Sequence, residues 1–213
     1  MPLIPEYAAH SVLRVRGEIF SLIPTLTPAQ IIEALSRLSE EITEGSDLGE
    51  DSEEFWQSAA LHPEKAPLMH EGRLCAAIRR DLLSLCRLEC MSEEWHLCVA
   101  GAAEKLTRHP SEFVKFLNTD YSPYFARLIF YFIHRYMYEG VFLAEVGARV
   151  RFSLACAMSI SALCYASEAG DFATVAKDFS KNVEYSEQNL AILISGGAEE
   201  DFLYGESLAE AFH

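Results

Sequence analysis

The sequence predicts an all-α protein, a multi-helix bundle of about eight or nine helices around one long apolar helix. Three observations support this prediction. Apolar residues recur at spacings of three and four from end to end, capping residues, prolines and glycines separate the periodic segments, and no run of alternating β-branched residues indicates a strand. We expect one helical domain over residues 1–213, because no repeat of fixed period and no proline-rich or serine-rich linker divides the chain.

Two helices are predicted at the N-terminal end. The first covers roughly Glu6 to Leu22 and ends before Pro24. The second begins at a capping box, Thr27–Gln30, and ends at Gly45. Residues 44–54 contain six carboxylates and no basic residue, which predicts a solvated acidic loop whose carboxylate spacing does not suit calcium.

Four further helices are predicted in the middle of the chain. The first covers Pro67 to Glu89, and the second begins at the capping residue Ser92 and reaches about Thr107. A short helix follows Ser111. The fourth begins at Ser122-Pro123, in the same manner as Thr27-Pro28, and runs to Tyr138 before Gly140.

The long apolar helix is predicted over Phe142 to Ala169. It is apolar nearly all round after Arg151, which is typical of a helix that other helices cover. Its longest uncharged run has 16 residues, short of the roughly 20 that a membrane span needs. Asp171 caps a following helix, and a last amphipathic segment is predicted over Glu199 to Phe212.

The charge balance argues against two classes of partner. The 17 basic and 32 acidic side chains give a formal net charge of −15, which repels nucleic-acid phosphates and anionic lipid. We therefore expect neither nucleic-acid binding nor membrane binding. Residues 1–17 carry charge and proline where a signal peptide has its apolar segment, so we expect a cytoplasmic protein.

The six cysteines predict no metal site. Cys86 and Cys90 lie four apart on one helical face, near His96 and Cys98, and zinc binding by these residues is the alternative. Zinc sites usually place a close ligand pair on a turn, and free cysteine commonly packs as a small apolar side chain. We therefore expect core packing. Phosphate-loop, dinucleotide-binding and nucleophile-elbow motifs are absent from the sequence.

Two polar features leave alternatives open. Arg149 and Arg151 lie near the start of the apolar helix. One alternative is that they bind a carboxylate or a phosphate; the other is that they form ion pairs with Glu145 and the acidic loop. Residues 184–189 are the most polar cluster inside a periodic region. Judged by residue type alone, this cluster is an exposed helix turn with Ser186 as a local cap.

Three successive features of the C-terminal third define a family pattern. An aromatic helix ends in a basic and an aromatic residue over Phe130–Tyr136, and a long apolar helix with a basic entry covers Arg149–Leu163. A closing segment of the form F/Y-S-[KR]-x-[VI]-E-[HY]-S-x-x-N-L covers Phe179–Leu190. In these features residues 124–192 resemble the C-terminal helical part of the flagellin lysine-N-methylase family, and a weaker similarity covers Arg73–Leu106.

This resemblance implies transfer of a methyl group from S-adenosylmethionine to lysines of flagellin. It also implies an N-terminal cysteine cluster that holds iron and sulfur, and the present chain departs from the family by lacking those cysteines. No cofactor site is evident in the chain itself, so the methyl donor and the flagellin partner are implied by the resemblance alone. The alternatives are a non-catalytic helical adaptor and a chaperone that binds an apolar peptide in a groove.

The resemblance also selects candidate binding residues. Methyl transfer to lysine needs a deprotonated amine, which a desolvating aromatic pocket with a carboxylate suits. We expect Tyr136, Tyr185 and Glu184 to form such a pocket, with Arg135 on its rim. The sequence defines neither catalytic residues nor an oligomeric state. The full set of candidate binding residues is Arg135, Tyr136, Arg149, Arg151, Glu184, Tyr185 and Asn189.

Overall fold

A computed structural model describes residues 6–47, 60, 70–89, 92–137, 143–167 and 171–194, hereafter the described residues. These residues form nine α-helices and no strand, which confirms the predicted all-α bundle. A short 3₁₀ turn, Ile23–Thr25, follows the first helix, and a π-helical turn, Ser180–Glu184, follows the eighth. The helices are α1 (Glu6–Leu22), α2 (Pro28–Asp47), α3 (Glu71–Leu85), α4 (Glu93–Arg108), α5 (Pro110–Asn118), α6 (Ser122–Tyr136), α7 (Leu143–Ala166), α8 (Phe172–Phe179) and α9 (Glu187–Ile194).

Predicted caps define the starts of three helices. The Thr27 backbone N–H donates to Gln30 Oε1 at 3.0 Å and the Gln30 N–H donates to Thr27 Oγ1 at 3.3 Å, which is a reciprocal capping box. Ser92 accepts from the Trp95 N–H, and Asp171 accepts from the Ala173 N–H. These contacts confirm the capping predictions.

The predicted cap at Ser122 is wrong. Ser122 is the first residue of α6, and Tyr121 precedes it without a side-chain cap. Pro123 lies within the first turn, where its missing N–H has no intrahelical partner to lose. The helix therefore starts without a polar cap.

The predicted boundary between α2 and the acidic loop is also wrong. Helix α2 continues to Asp47, so residues 44–47 are helical rather than part of a loop. Glycine inside a helix costs only about 1 kcal/mol relative to alanine, and Gly45 therefore does not end a helix that is packed elsewhere along its length. The remainder of the predicted loop, residues 48–54, lies outside the described residues, as does the predicted segment 199–212.

Helix α7 is the central helix of the bundle. Every residue from Phe152 to Cys164 is buried, as the continuous apolar pattern predicts. The helix packs against α2 to α6, α8 and α9, so it has covering neighbours on all sides. By length and hydropathy, residues 145–166 would also suit a membrane span, but 83% of this apolar stretch is buried inside the bundle.

Helices α2 and α7 approach each other closely at Gly147. A Cβ atom at this position would lie 2.5 Å from Thr43 Oγ1 and 2.8 Å from the Ser39 carbonyl oxygen. Both distances are shorter than a van der Waals contact permits. Glycine therefore allows the two helices to approach at this point.

Candidate functional site

A cavity of about 560 Å³ opens between α6, the middle of α7, α8 and the π-helical turn. One part of its wall is apolar and is formed by Leu128, Phe132, Ile160, Phe172 and Ala176. The other part is polar and is formed by Arg127, Tyr131, Lys177, Ser180, Lys181, Glu184 and Tyr185. A cavity of this volume, mostly apolar with a few convergent polar groups, has the form of a small-molecule binding site.

Glu184 is the most extensively bonded polar side chain of this cavity. Its residue is only 7% exposed. Its Oε1 atom accepts hydrogen bonds from the hydroxyl groups of Tyr136 at 2.7 Å and Tyr131 at 3.0 Å. Its Oε2 atom accepts from the Ser180 hydroxyl group, and the Arg135 Nε atom lies 3.3 Å from Oε1. A buried carboxylate that is ion-paired and hydrogen-bonded in this way is held in one position.

The tyrosine hydroxyl groups around Glu184 are held as donors. Burial, together with the hydrogen bond to Glu184 and its negative charge, raises the pKa of Tyr136 well above its usual range. The same causes raise the pKa of Tyr131. Burial lowers the pKa of Arg135, but its hydrogen bond to Tyr136 and the nearby carboxylate outweigh that effect and leave the pKa raised. The cluster therefore consists of neutral tyrosines, a charged guanidinium and a charge-assisted set of hydrogen bonds.

A π-helical turn presents Glu184 to the cavity. The Tyr185 N–H donates to the Ser180 carbonyl oxygen at 3.1 Å, a bond that spans five residues instead of four. Such turns insert one extra residue into a helix and occur frequently at functional sites. Here the turn buries Asn182, Val183 and Glu184 in succession, which a regular α-helix with one buried face does not do.

The Asn189 side chain stabilises the π-helical turn by hydrogen bonds. Its side chain is fully buried, and its Nδ2 group donates to the Asn182 carbonyl oxygen at 3.0 Å and to the Glu89 carbonyl oxygen at 2.7 Å. One bond reaches the turn and the other reaches the chain that follows α3. Ser186 accepts from the Asn189 N–H at 3.2 Å, as the predicted local cap requires.

Positive charge surrounds the mouth of the cavity. Arg127, Lys177 and Lys181 are exposed, and the two lysines lie one turn apart on the same side of α8 and the π-helical turn. Among the described residues, no carboxylate forms an ion pair with any of these three side chains. On a chain with a net charge of −15, this is a local concentration of positive charge, which favours an anionic group over a cationic one.

The structure brings together four of the seven candidate residues. Arg135, Tyr136 and Glu184 form the hydrogen-bonded cluster, and Tyr185, which is 79% exposed, stands at the cavity mouth. Asn189 belongs to the support beneath them. The interpretation of the 184–189 cluster as an exposed helix turn is therefore wrong for Glu184 and Asn189, because Glu184 bonds to α6 and Asn189 bonds to the chain that follows α3.

Arg149 and Arg151 do not line this cavity. Arg151 donates from Nη1 to Thr43 Oγ1 of α2 at 3.0 Å. Arg149 lies 3.9 Å from the Glu145 carboxylate, one turn earlier in α7. These contacts favour the structural alternative for both arginines, with Glu145 as the ion-pair partner of Arg149.

Sequence reasoning missed five polar residues of the cavity: Arg127, Tyr131, Lys177, Ser180 and Lys181. Two local signals were available for part of this set. Ser180 and Glu184 have the four-residue spacing at which helical side chains meet, and so do Lys177 and Lys181. No local signal relates Tyr131 to Glu184, since 53 residues separate them.

The cysteines do not converge on a metal site in the described part of the chain. No group of three or more histidine, cysteine and carboxylate side chains is placed there to hold a metal ion. Cys75, Cys156 and Cys164 are buried, as core packing predicts, and Cys86 is half-buried. Cys98 is exposed, so the core-packing prediction is wrong for that residue; Cys90 lies outside the described residues.

Comparison of the chain with protein-family models, with curated proteins and with solved structures gives no match in any of the three. The class of protein is thus defined by fold and site alone. It is an all-α bundle with a half-open apolar cavity, a fixed carboxylate in the cavity wall and a cationic mouth. The resemblance to the methylase family stays a prediction.

Proposed function

We propose that this protein is a flagellin lysine-N-methylase-like protein that takes part in S-adenosylmethionine-dependent methylation of flagellin in the cytoplasm. One observation carries the proposal. The residues that define the family-like closing segment, Glu184 and Tyr185, line the cavity of about 560 Å³, and Tyr136 of the aromatic helix bonds directly to Glu184. Residues chosen for a resemblance in sequence thus meet at one site that has the form of a ligand pocket.

The cavity suits the methyl donor in its chemistry. S-adenosylmethionine has a flat aromatic base, a positively charged sulfonium group on an aliphatic chain, and a terminal ammonium and carboxylate. The apolar wall around Phe132 and Phe172 suits the base, and Lys177 and Lys181 suit the carboxylate. The donor supplies an activated methyl group when bound; the protein supplies a desolvated surface and a fixed set of charges.

The charges at the cavity mouth also favour the reactive form of the acceptor. A lysine amine attacks a methyl group only when it is deprotonated. Nearby cations disfavour the ammonium form, so Arg127, Lys177 and Lys181 would lower the pKa of a lysine that enters the mouth. Glu184 already accepts three hydroxyl hydrogen bonds, and we therefore assign it a positioning role for Tyr131 and Tyr136 rather than proton abstraction.

The proposal is tested by thermal unfolding and by methyl transfer. S-adenosylmethionine at 100 times its Kd stabilises the folded protein by about 2.7 kcal/mol, which is a rise in Tm of several degrees for a domain of this size. Transfer of a labelled methyl group to purified flagellin is then measured with the wild-type chain and the Glu184→Gln variant. A chain that neither binds the donor nor supports transfer contradicts the proposal.

A non-catalytic helical binding module, acting as adaptor or chaperone, is the second candidate. Exposed aromatic side chains favour it, because Tyr124, Tyr131 and Tyr185 all present large apolar area beside the cavity. Such area is typical of a surface that binds a protein segment. This candidate predicts that flagellin alone raises the Tm and that the methyl donor has no effect, which is the opposite pattern to donor-dependent transfer.

A further inference from the structure

The cavity between α6, α7 and α8 joins exposed cations at its mouth to core side chains at its floor. The floor is formed by Leu128, Phe132 and Ile160, each of which is at most 5% exposed. Lys177 and Lys181 at the mouth are exposed. A ligand that fills this cavity therefore has an apolar end that leaves water and a polar end that stays in contact with it.

The charges of the wall select an anionic group for the polar end of such a ligand. The Glu184 carboxylate accepts three hydroxyl hydrogen bonds and lies 3.3 Å from the Arg135 Nε atom, so its charge is compensated within the protein. Arg127, Lys177 and Lys181 have no carboxylate partner in the part of the chain that the structure describes. Three such cations attract an anion and repel a cation.

The size and the floor of the cavity select a hydrocarbon chain for the apolar end. A volume of about 560 Å³ is in the range of small-ligand pockets, about 300–1,000 Å³. One turn of a peptide helix about 10 Å wide and 5.4 Å high already takes up about 420 Å³, so a helix of several turns does not fit inside. The Tyr131 and Ser180 hydroxyl protons are used in bonds to Glu184 and require no polar partner from a ligand.

We propose that the cavity binds a free medium- or long-chain carboxylate, with its hydrocarbon chain on the floor and its carboxylate beside Lys177 and Lys181. A free molecule is favoured over the same group in a membrane, because the net charge of −15 repels an anionic bilayer. A single carboxylate interacts mainly with the nearest cations, since salt screens charges beyond about 8 Å. This binding depends on the cavity alone; competition with the methyl donor for the same space is a consequence that rests on the proposed function.

Isothermal titration with a matched series of ligands tests the two ends separately. Octanoate and decanoate differ by two methylene groups, and decyltrimethylammonium combines a chain of similar length with a cationic head. Each is used below the concentration at which it forms micelles. Burial of one methylene group strengthens binding about fourfold, so decanoate should bind about fifteenfold more tightly than octanoate. A cationic ligand that binds as tightly as decanoate, affinity independent of chain length, or no binding of decanoate would each overturn the proposal.

Paired substitutions test whether the ligand occupies this cavity. Ala176→Phe places an aromatic ring in the cavity, and Ala173→Phe, at an exposed residue of the same helix, is the control. We expect at least a tenfold loss of decanoate affinity in the first variant and no loss in the second. The Lys177→Gln, Lys181→Gln variant should lose most of the preference for decanoate over decyltrimethylammonium and keep the dependence on chain length, which requires a folded cavity. Unaltered decanoate binding by Ala176→Phe would contradict the proposal.

Two other occupants of the cavity are outcomes of further measurements. Sedimentation with vesicles of phosphatidylcholine and phosphatidylglycerol tests a membrane surface, and we expect the protein to stay in solution. Protein that sediments with the vesicles and does not bind decanoate would overturn the proposal. Decanoate that binds only after dissociation of a dimer would also overturn it, because the cavity would then belong to the contact with a second copy of the chain.

Titration of the methyl donor separates this inference from the proposed function. If both hold, decanoate at ten times its Kd weakens the apparent binding of S-adenosylmethionine about tenfold. Decanoate binding together with no donor binding would sustain the carboxylate site and remove the proposed function. Donor binding together with no decanoate binding would sustain the proposed function and overturn the carboxylate site.

Discussion

Asp81 gives the most direct prediction of a stability change that depends on pH. It lies on α3, is 1% exposed, and neither of its carboxyl oxygens has a hydrogen-bond partner. Burial, opposed only in part by the charge of Arg80, raises its pKa from 3.8 to about 8. The carboxyl group is therefore protonated in the folded protein at neutral pH and ionised in the unfolded chain.

The direction of the effect follows from this difference. Because the folded pKa lies above the unfolded pKa, the contribution of Asp81 to stability is complete below pH 3.8 and is lost as the pH rises through about 8. Each pH unit in that window removes about 1.4 kcal/mol, which sums to a loss on the order of 5 kcal/mol.

The Asp81→Asn variant removes the titration and keeps the side-chain volume. A buried amide without partners costs about 1–3 kcal/mol, so we expect a net stabilisation of about 2–4 kcal/mol at pH 8. Near pH 4 the same variant should be equal to the wild type or less stable. The informative quantity is the difference in stability between the two proteins as the pH rises.

Urea unfolding followed by circular dichroism between pH 4 and pH 9 measures this difference. We expect it to grow steadily between pH 4 and pH 8 and then to level off. Asp120→Asn, the same substitution at an exposed residue, is the matched control. A constant difference between the wild type and Asp81→Asn across the whole range would refute the reasoning.

Three further substitutions test the site and the packing. Glu184→Gln removes the charged acceptor of the Tyr136 and Tyr131 hydroxyl groups. We expect a loss of about 1–3 kcal/mol in unfolding free energy. We also expect a fall in the pKa of Tyr131, measured by ultraviolet titration of the tyrosines. A Tyr131 pKa that stays in place would contradict the charge interaction. Asn189→Ala removes the side-chain donor to the Asn182 and Glu89 carbonyl oxygens and should cost about 1–3 kcal/mol by urea unfolding, with faster amide hydrogen exchange confined at first to the π-helical turn. Unaltered exchange in that turn would show that Asn189 does not support it. Gly147→Ala should cost about 1–3 kcal/mol of unfolding free energy, because the added methyl group overpacks the contact with α2. Gly101→Ala is the control: its Cβ meets nothing within 4 Å, and it should gain up to about 1 kcal/mol from helix propensity. Equal changes in Tm for the two variants would argue against the close approach of α2 and α7 at Gly147.

The fold was largely predictable because its determinants are local. Caps such as Thr27 and Asp171 satisfy the first N–H groups of their own helices, and a continuous apolar pattern marks α7 as the buried helix. The end of α2 was not predictable from Gly45, since the penalty of one glycine is smaller than the free energy of packing the earlier turns of the helix, such as those of Leu35 and Ile42.

The site was predictable only in part because it is built across the chain. Glu184 and Tyr136 were identified through a resemblance, and the bond between them joins residues 48 positions apart. The π-helical turn could not be foreseen, because the bond from Tyr185 to Ser180 leaves no pattern in the residue types. Tyr131 and Arg127 become part of the site only when the fold brings α6 and α8 to the same cavity.

Isothermal titration of S-adenosylmethionine into the protein tests most directly whether the cation-rimmed cavity binds the methyl donor. Three proteins are compared: the wild type, the Lys177→Gln, Lys181→Gln variant and the Lys115→Gln control. We expect saturable binding by the wild type and the control, with affinity at least tenfold weaker in the double variant, equivalent to about 1.4 kcal/mol. Equal binding by all three proteins would place the donor elsewhere, and no binding by the wild type would contradict the proposed function.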